Sequence, residues 1–152
     1  VPIQNFIVEA KMDFGSINWL AVVACVVVSM ITGSIWFGPK TFFPIWWKAI
    51  GKTEKDTPGG DNMGLMWGGT LVASFVQAVS MAIMVNFMGS SMSGGVSPAS
   101  GAMTGFMLWF GFTAATSLTN KLFAGQLKAW VLETGNHLLN LVLFGIILGA
   151  WR

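Results

Sequence analysis

Residues 17–37 read INWLAVVACVVVSMITGSIWF, a stretch of Val, Ile and Ala without one charged side chain. At 1.5 Å of rise per residue an α-helix of this length crosses the roughly 30 Å hydrocarbon core of a bilayer. Outward from it, comparable runs occupy 65–87, 101–119 and 129–151. None alternates apolar with polar, and each is about twice the length of a barrel strand, which excludes a β-barrel. The expected fold is therefore all-α: a polytopic membrane protein with four transmembrane helices, in one domain over 1–152.

Composition agrees with that reading. Apolar residues make up 54% of the chain and charged residues 9%, where a soluble domain carries about a quarter charged. Mean hydropathy is +0.68. Eight basic and six acidic residues are too few to cover a soluble surface or to grip nucleic acid. The single cysteine, Cys25, excludes an internal disulfide, a CxxC site or a zinc cluster.

Tryptophans stand near the span edges at Trp19, Trp36, Trp67, Trp130 and Trp151, as in an interfacial aromatic belt, while Trp109 sits mid-span. Four spans put Lys40, Lys48, Lys52, Lys55, Lys121 and Lys128 on one side and only Lys11 and Arg152 on the other. The positive-inside rule then places both termini on the non-cytoplasmic side of a bacterial inner membrane or its organelle equivalent. Val1 in place of Met suggests processing, with Met12 as an alternative start.

The first loop has its own pattern. Residues 40–52, KTFFPIWWKAIGK, mix Phe42, Phe43, Trp46 and Trp47 with Lys48 and Lys52. Pro44 suits an early helical position and Gly51 a helix end, so a short helix lying in the interface is expected, beside Trp36. Residues 53–62 read as a solvent loop and 89–100, rich in Gly and Ser, as a flexible crossing.

Small residues recur at intervals of four on every span: Ala21, Cys25, Ser29 and Gly33; Ser74, Ala78 and Ala82; Gly101 and Gly105; Gly145 and Gly149. Such stripes favour close helix packing in lipid. On the last span Glu133, Asn136, His137 and Asn140 fall at spacings of three and four, hence on one helical side. Gln77, Thr113 and Thr116 are expected at matching depth. Polar groups inside a span usually face protein or water. Cross-helix hydrogen bonding explains the cluster most simply, with Glu133 favoured near a helix start and beside Lys121 and Lys128. A proton or solute path through His137, or ligation of haem or chlorophyll by His137, are the sharper alternatives.

No GxSxG, HExxH or phosphate loop is present, so no enzyme is expected. The expected role is a structural or accessory membrane subunit, a homo-oligomer or a component among other membrane subunits, with lipids as partners and no cofactor beyond lipid. An oligomeric channel or proton-coupled transporter is the alternative.

The stretches Ile17-Asn18-Trp19-Leu20-Ala21 and Trp36-Phe37-Gly38-Pro39-Lys40, then Phe43 and Trp46-Trp47-Lys48, resemble a known family. So does the end, Gly135-Asn136-His137-Leu138-Leu139-Asn140, Gly145 and Leu148-Gly149-Ala150-Trp151-Arg152. The chain is similar to the small four-helix membrane proteins grouped as domain of unknown function 1761, found in bacteria and some eukaryotes. The likeness runs from Ile17 over nearly the whole chain. The extension before Met12 and the polar segment 52–62 depart from the compact pattern. The resemblance implies a four-helix topology and carries no activity.

Overall fold

The computed structural model describes residues 14–151, which are helical with no strand among them. The readings that rest on Lys11, Met12 and Arg152 lie outside these residues. After a single 3-10 turn at Phe14–Ser16 come α1 (Trp19–Trp36), α2 (Phe43–Ala49) and α3 (Met63–Ser91). Then follow α4 (Pro98–Leu108), a π-helical turn (Trp109–Ala114), α5 (Ala115–Phe123) and α6 (Leu127–Ala150).

Local chemistry sets the boundaries. The Asn18 side chain accepts from the backbone N–H groups of Leu20 and Ala21 at 3.0 and 3.2 Å and starts α1. At the other end the Thr41 hydroxyl caps the carbonyls of Ile35 and Trp36 and accepts from the Gly38 N–H. A Cβ at Gly38 would sit 3.1 Å from the Ser34 and Ile35 carbonyls, so a side chain there would crowd the helix end. Pro44 lies in the first turn of α2 and Gly51, at φ +83°, follows its end, as the sequence leads one to expect. Ser97 and Ser100 close a reciprocal cap with Pro98 in the first turn of α4.

Three helices, α1, α3 and α6, are long and apolar enough to cross a membrane. The fourth expected span differs in form. It is a helical path over 98–123 divided by the π turn, where one extra residue per turn interrupts the α-helical ladder. The crossing expected over 89–100 is also shorter: α3 continues to Ser91. Gly89 permits this, since any side chain there would strike Val96, which folds back onto the helix.

The packed core occupies one half of the molecule. Ala21, Val22 and Cys25 of α1 meet Ala78, Met81, Ala82 and Val85 of α3 and Leu141, Phe144 and Leu148 of α6. At this end Asn18 Nδ2 donates to the Trp151 carbonyl at 3.5 Å. Against α6 lies α4, backbone on backbone: a Cβ on Gly101 would fall 1.9 Å from the Gly145 oxygen, and one on Gly105 2.1 Å from the Leu141 oxygen. Gly149 meets the Ser97 carbonyl in the same way, at 2.2 Å. The two glycine stripes of the sequence are thus the two sides of one contact. In lipid, where apolar burial gives little drive, such an approach supplies dispersion and Cα–H···O contacts instead.

The other half is open. No residue of α3 before Ala78 is buried, although this half of the helix carries Leu65, Trp67, Leu71, Val72, Phe75 and Val76. Phe75 stacks on Trp19 of α1 with ring centroids 6.5 Å apart, but burial begins only where small residues allow α1 and α6 to approach.

Candidate functional site

The polar residues of α6 divide among three environments. At the border of the packed core, Thr32 of α1 donates to Asn140 Oδ1. Asn140 Nδ2 in turn donates to Asn136 Oδ1 at 3.2 Å. Both asparagines are buried, and Asn136 Nδ2 has no acceptor. A buried, unpaired amide donor costs about 1–3 kcal/mol, so this row is satisfied at one end and not at the other.

One turn toward the start of α6, Glu133 forms an ion pair. Its Oε1 accepts from Lys121 Nζ of α5 and from the Trp46 indole of α2, both at 2.8 Å. The two charged side chains are 22% and 24% exposed, so the pair is sheltered enough to tie three elements together. Lys121 also donates to Gln126 Oε1 at 3.4 Å. The turn between the helices is made by Gly125 at φ +67°, which brings Lys121 back over Glu133.

Indole N–H groups surround this level of α6. Trp36 donates to the Leu132 carbonyl at 3.0 Å and Trp109 to the Thr134 carbonyl at 2.8 Å. Trp130 donates to the Ala114 carbonyl at 3.2 Å and the Ser117 hydroxyl at 3.1 Å, fixing the π turn against α6. Trp47 closes its own loop by donating to the Thr53 carbonyl. Around them Phe42 packs on Trp36, Phe37 on Trp46, and Phe43 on both Trp46 and Trp47. Lys48 and Lys52 remain exposed.

His137 stands apart from both groups. Its neighbours on the same arc of α6, Thr134, Asn140, Leu141 and Phe144, are buried, yet His137 itself is exposed. At 100° per residue these five lie within one inward-facing third of the helix. Exposure in the middle of a buried arc means that the bundle parts at this level. That is the half of the molecule where α3 buries nothing.

The remaining residues expected in the cluster do not join it. Gln77 and Thr113 are half-buried and Thr116 is exposed, with its hydroxyl turned to the Phe112 carbonyl of its own helix. Neither of the other two is hydrogen-bonded to an α6 side chain. Thr32 and Trp46 do reach the α6 row, and neither was singled out for it. For Thr32 the spacing gives a partial signal: counted from the Asn18–Trp151 end it lies level with His137, within one helical turn of Asn140. For Trp46 there was none, because its reach depends on how α2 folds back.

Among the described residues no three of His, Cys, Asp and Glu come together as metal ligands. Cys25 is buried, with its sulfur 4.0 Å from the Phe144 carbonyl.

No curated protein and no solved structure matches the chain. A family model described as "Protein of unknown function (DUF1761)" matches residues 20–149. That covers the helices from α1 to α6, the Trp36–Pro39 exit and the polar row alike, and the chain belongs to this family.

Proposed function

We propose that the chain is an integral membrane protein with four crossings, acting as a structural or accessory subunit that assembles with copies of itself or with other membrane subunits. The composite path over 98–123 is long enough at 1.5 Å per residue to serve as the third crossing. Its antiparallel packing on α6 supports that use. The observation that carries the assembly reading is the exposure of His137 halfway along an apolar helix. An ionisable group in hydrocarbon is expensive and is met by protein or water. The first half of α3 buries no residue and stays exposed apart from partly covered positions and the stacking of Phe75 on Trp19, which leaves room for a segment of another chain.

A particle extracted gently from its membrane tests this. The reading expects a mass well above the 16.3 kDa of one chain, as a homo-oligomer or a stoichiometric complex. A lone chain at that mass would overturn it.

The second reading, a proton or solute path formed by an oligomer, draws on the unpaired Nδ2 of Asn136 and the row it ends. Flux into reconstituted vesicles that is unchanged by His137→Ala and Glu133→Gln would remove it. Ligation of a haem or chlorophyll by His137 predicts a coloured preparation that His137→Ala bleaches. No catalytic role is assigned to any residue.

A further inference from the structure

A cleft of about 380 Å³ lies between α2 and the first turn of α6, lined by Pro44, Ile45, Lys48, Ala49 and Lys128. We propose that it is a binding site for the phosphate headgroup of an anionic membrane phospholipid, an inference that rests on the membrane reading above.

Its two sides suit the two parts of such a molecule. Pro44, Ile45 and Ala49 give an apolar wall against which an acyl chain can lie. Lys48 and Lys128 put an ammonium on either helix. Neither lysine is in an ion pair: among the described residues the one salt bridge is Lys121–Glu133. Glu133, a nearby carboxylate on α6, is already held by Lys121 and Trp46. Among the described residues no carboxylate pairs with the two lysines at the cleft, and a phosphate diester at the membrane surface is their complement.

The start of α6 adds to this without carrying it. The Gln126 side chain does not cap α6; its Oε1 is turned to Lys121 instead. The first turn of α6, beside Lys128, thus has no side-chain cap from Gln126. Because the cleft is lined from both α2 and α6, its occupation would fasten the two helices in addition to the Trp46–Glu133 bond.

The test counts lipids on the full chain by native mass spectrometry. The protein is exchanged from detergent into nanodiscs of phosphatidylglycerol mixed with phosphatidylcholine. The proposal expects retained phosphatidylglycerol on ejection. The double variant Lys48→Gln/Lys128→Gln should weaken that retention by about tenfold or more, the scale of two interfacial lysines. The control Lys40→Gln/Lys52→Gln, outside the cleft, should leave it unchanged. Equal retention of phosphatidylcholine, or indifference to the Lys48/Lys128 change, would overturn the proposal. So would displacement of the lipid by millimolar inorganic phosphate, which would make the cleft a site for a free anion. A chain that fails to enter the nanodisc at all would instead refute the membrane reading.

Discussion

Gly145 and Gly101 illustrate how single residues set the packing. Each would need to place a Cβ 1.9 Å from the other's carbonyl oxygen if it became alanine. No rotamer relieves a clash between a Cβ and backbone, so α4 and α6 would have to separate. Gly145→Ala is expected to lower the unfolding free energy by about 1–3 kcal/mol, the usual scale of overpacking. Gly33→Ala, with nothing within 4 Å, is expected to be neutral or to stabilise, by up to about 1 kcal/mol from helix propensity. Thermal melts of both variants in one detergent check the pair. The polar row makes a second contrast. Thr32→Val removes the donor to Asn140 and is expected to cost about 1 kcal/mol; the coupling in a double-mutant cycle with Asn140→Leu should be near 0.6 kcal/mol. Asn136→Leu removes an unpaired donor but also the acceptor of the buried Asn140 Nδ2, and is expected to cost about 1 kcal/mol or more. The double change Asn136→Leu/Asn140→Leu should cost less than the sum of the two.

At the scale of elements, α2 is held by aromatic packing and by the Trp46–Glu133–Lys121 link. Glu133→Gln keeps an acceptor for the indole and loses the ion pair; Glu133→Ala loses both. Amide exchange over α2 should therefore rise modestly in the first variant and strongly in the second. An equal response in both would assign the anchoring to the ion pair alone. The loop that follows has a pH-sensitive turn. The Thr53 backbone N–H, then its hydroxyl, hydrogen-bond Asp56 Oδ2, and together with the Lys52 charge they hold the Asp56 carboxyl below its ordinary range. A carboxyl whose folded pKa lies below its unfolded value, about 3.9, stabilises the fold above that value. The contribution is lost as pH falls through the folded pKa. The Thr53 amide resonance should accordingly hold steady down to about pH 4 and move below it. Asp56→Asn should abolish the movement.

Elements also show what the sequence could convey. The runs over 17–37, 65–87 and 129–151 became α1, α3 and α6 because length and the absence of charge are local properties. Pro44 and Gly51 placed α2 for the same reason. The π turn was not legible, since it depends on Trp109 and Trp130 anchoring the path to α6 from opposite sides. The fate of the polar row was half legible. Spacing put Glu133, His137 and Asn140 on one side of a helix, but only the parting of α3 from the bundle separates exposed His137 from buried Asn140.

The whole molecule divides into two unequal halves. The half near Asn18 and Trp151 holds the buried core, its polar border drawn by Thr32 and Asn140. The half near α2 is fastened by indole hydrogen bonds and one ion pair, and opens beside His137. A half-helix that buries no residue, as α3 does before Ala78, is ordinary where it meets lipid, but an exposed histidine inside a span is costly there. Another protein segment is expected to cover it. Photo-crosslinking in intact membranes tests this, with benzoylphenylalanine placed at Val76, on the half of α3 that buries no residue, and at Val27, an exposed position of α1, as a control. Both positions are more than half exposed in the single chain, at 56% and 52%. The account predicts a discrete protein adduct from position 76 and lipid adducts from position 27. Lipid adducts alone from both would contradict it.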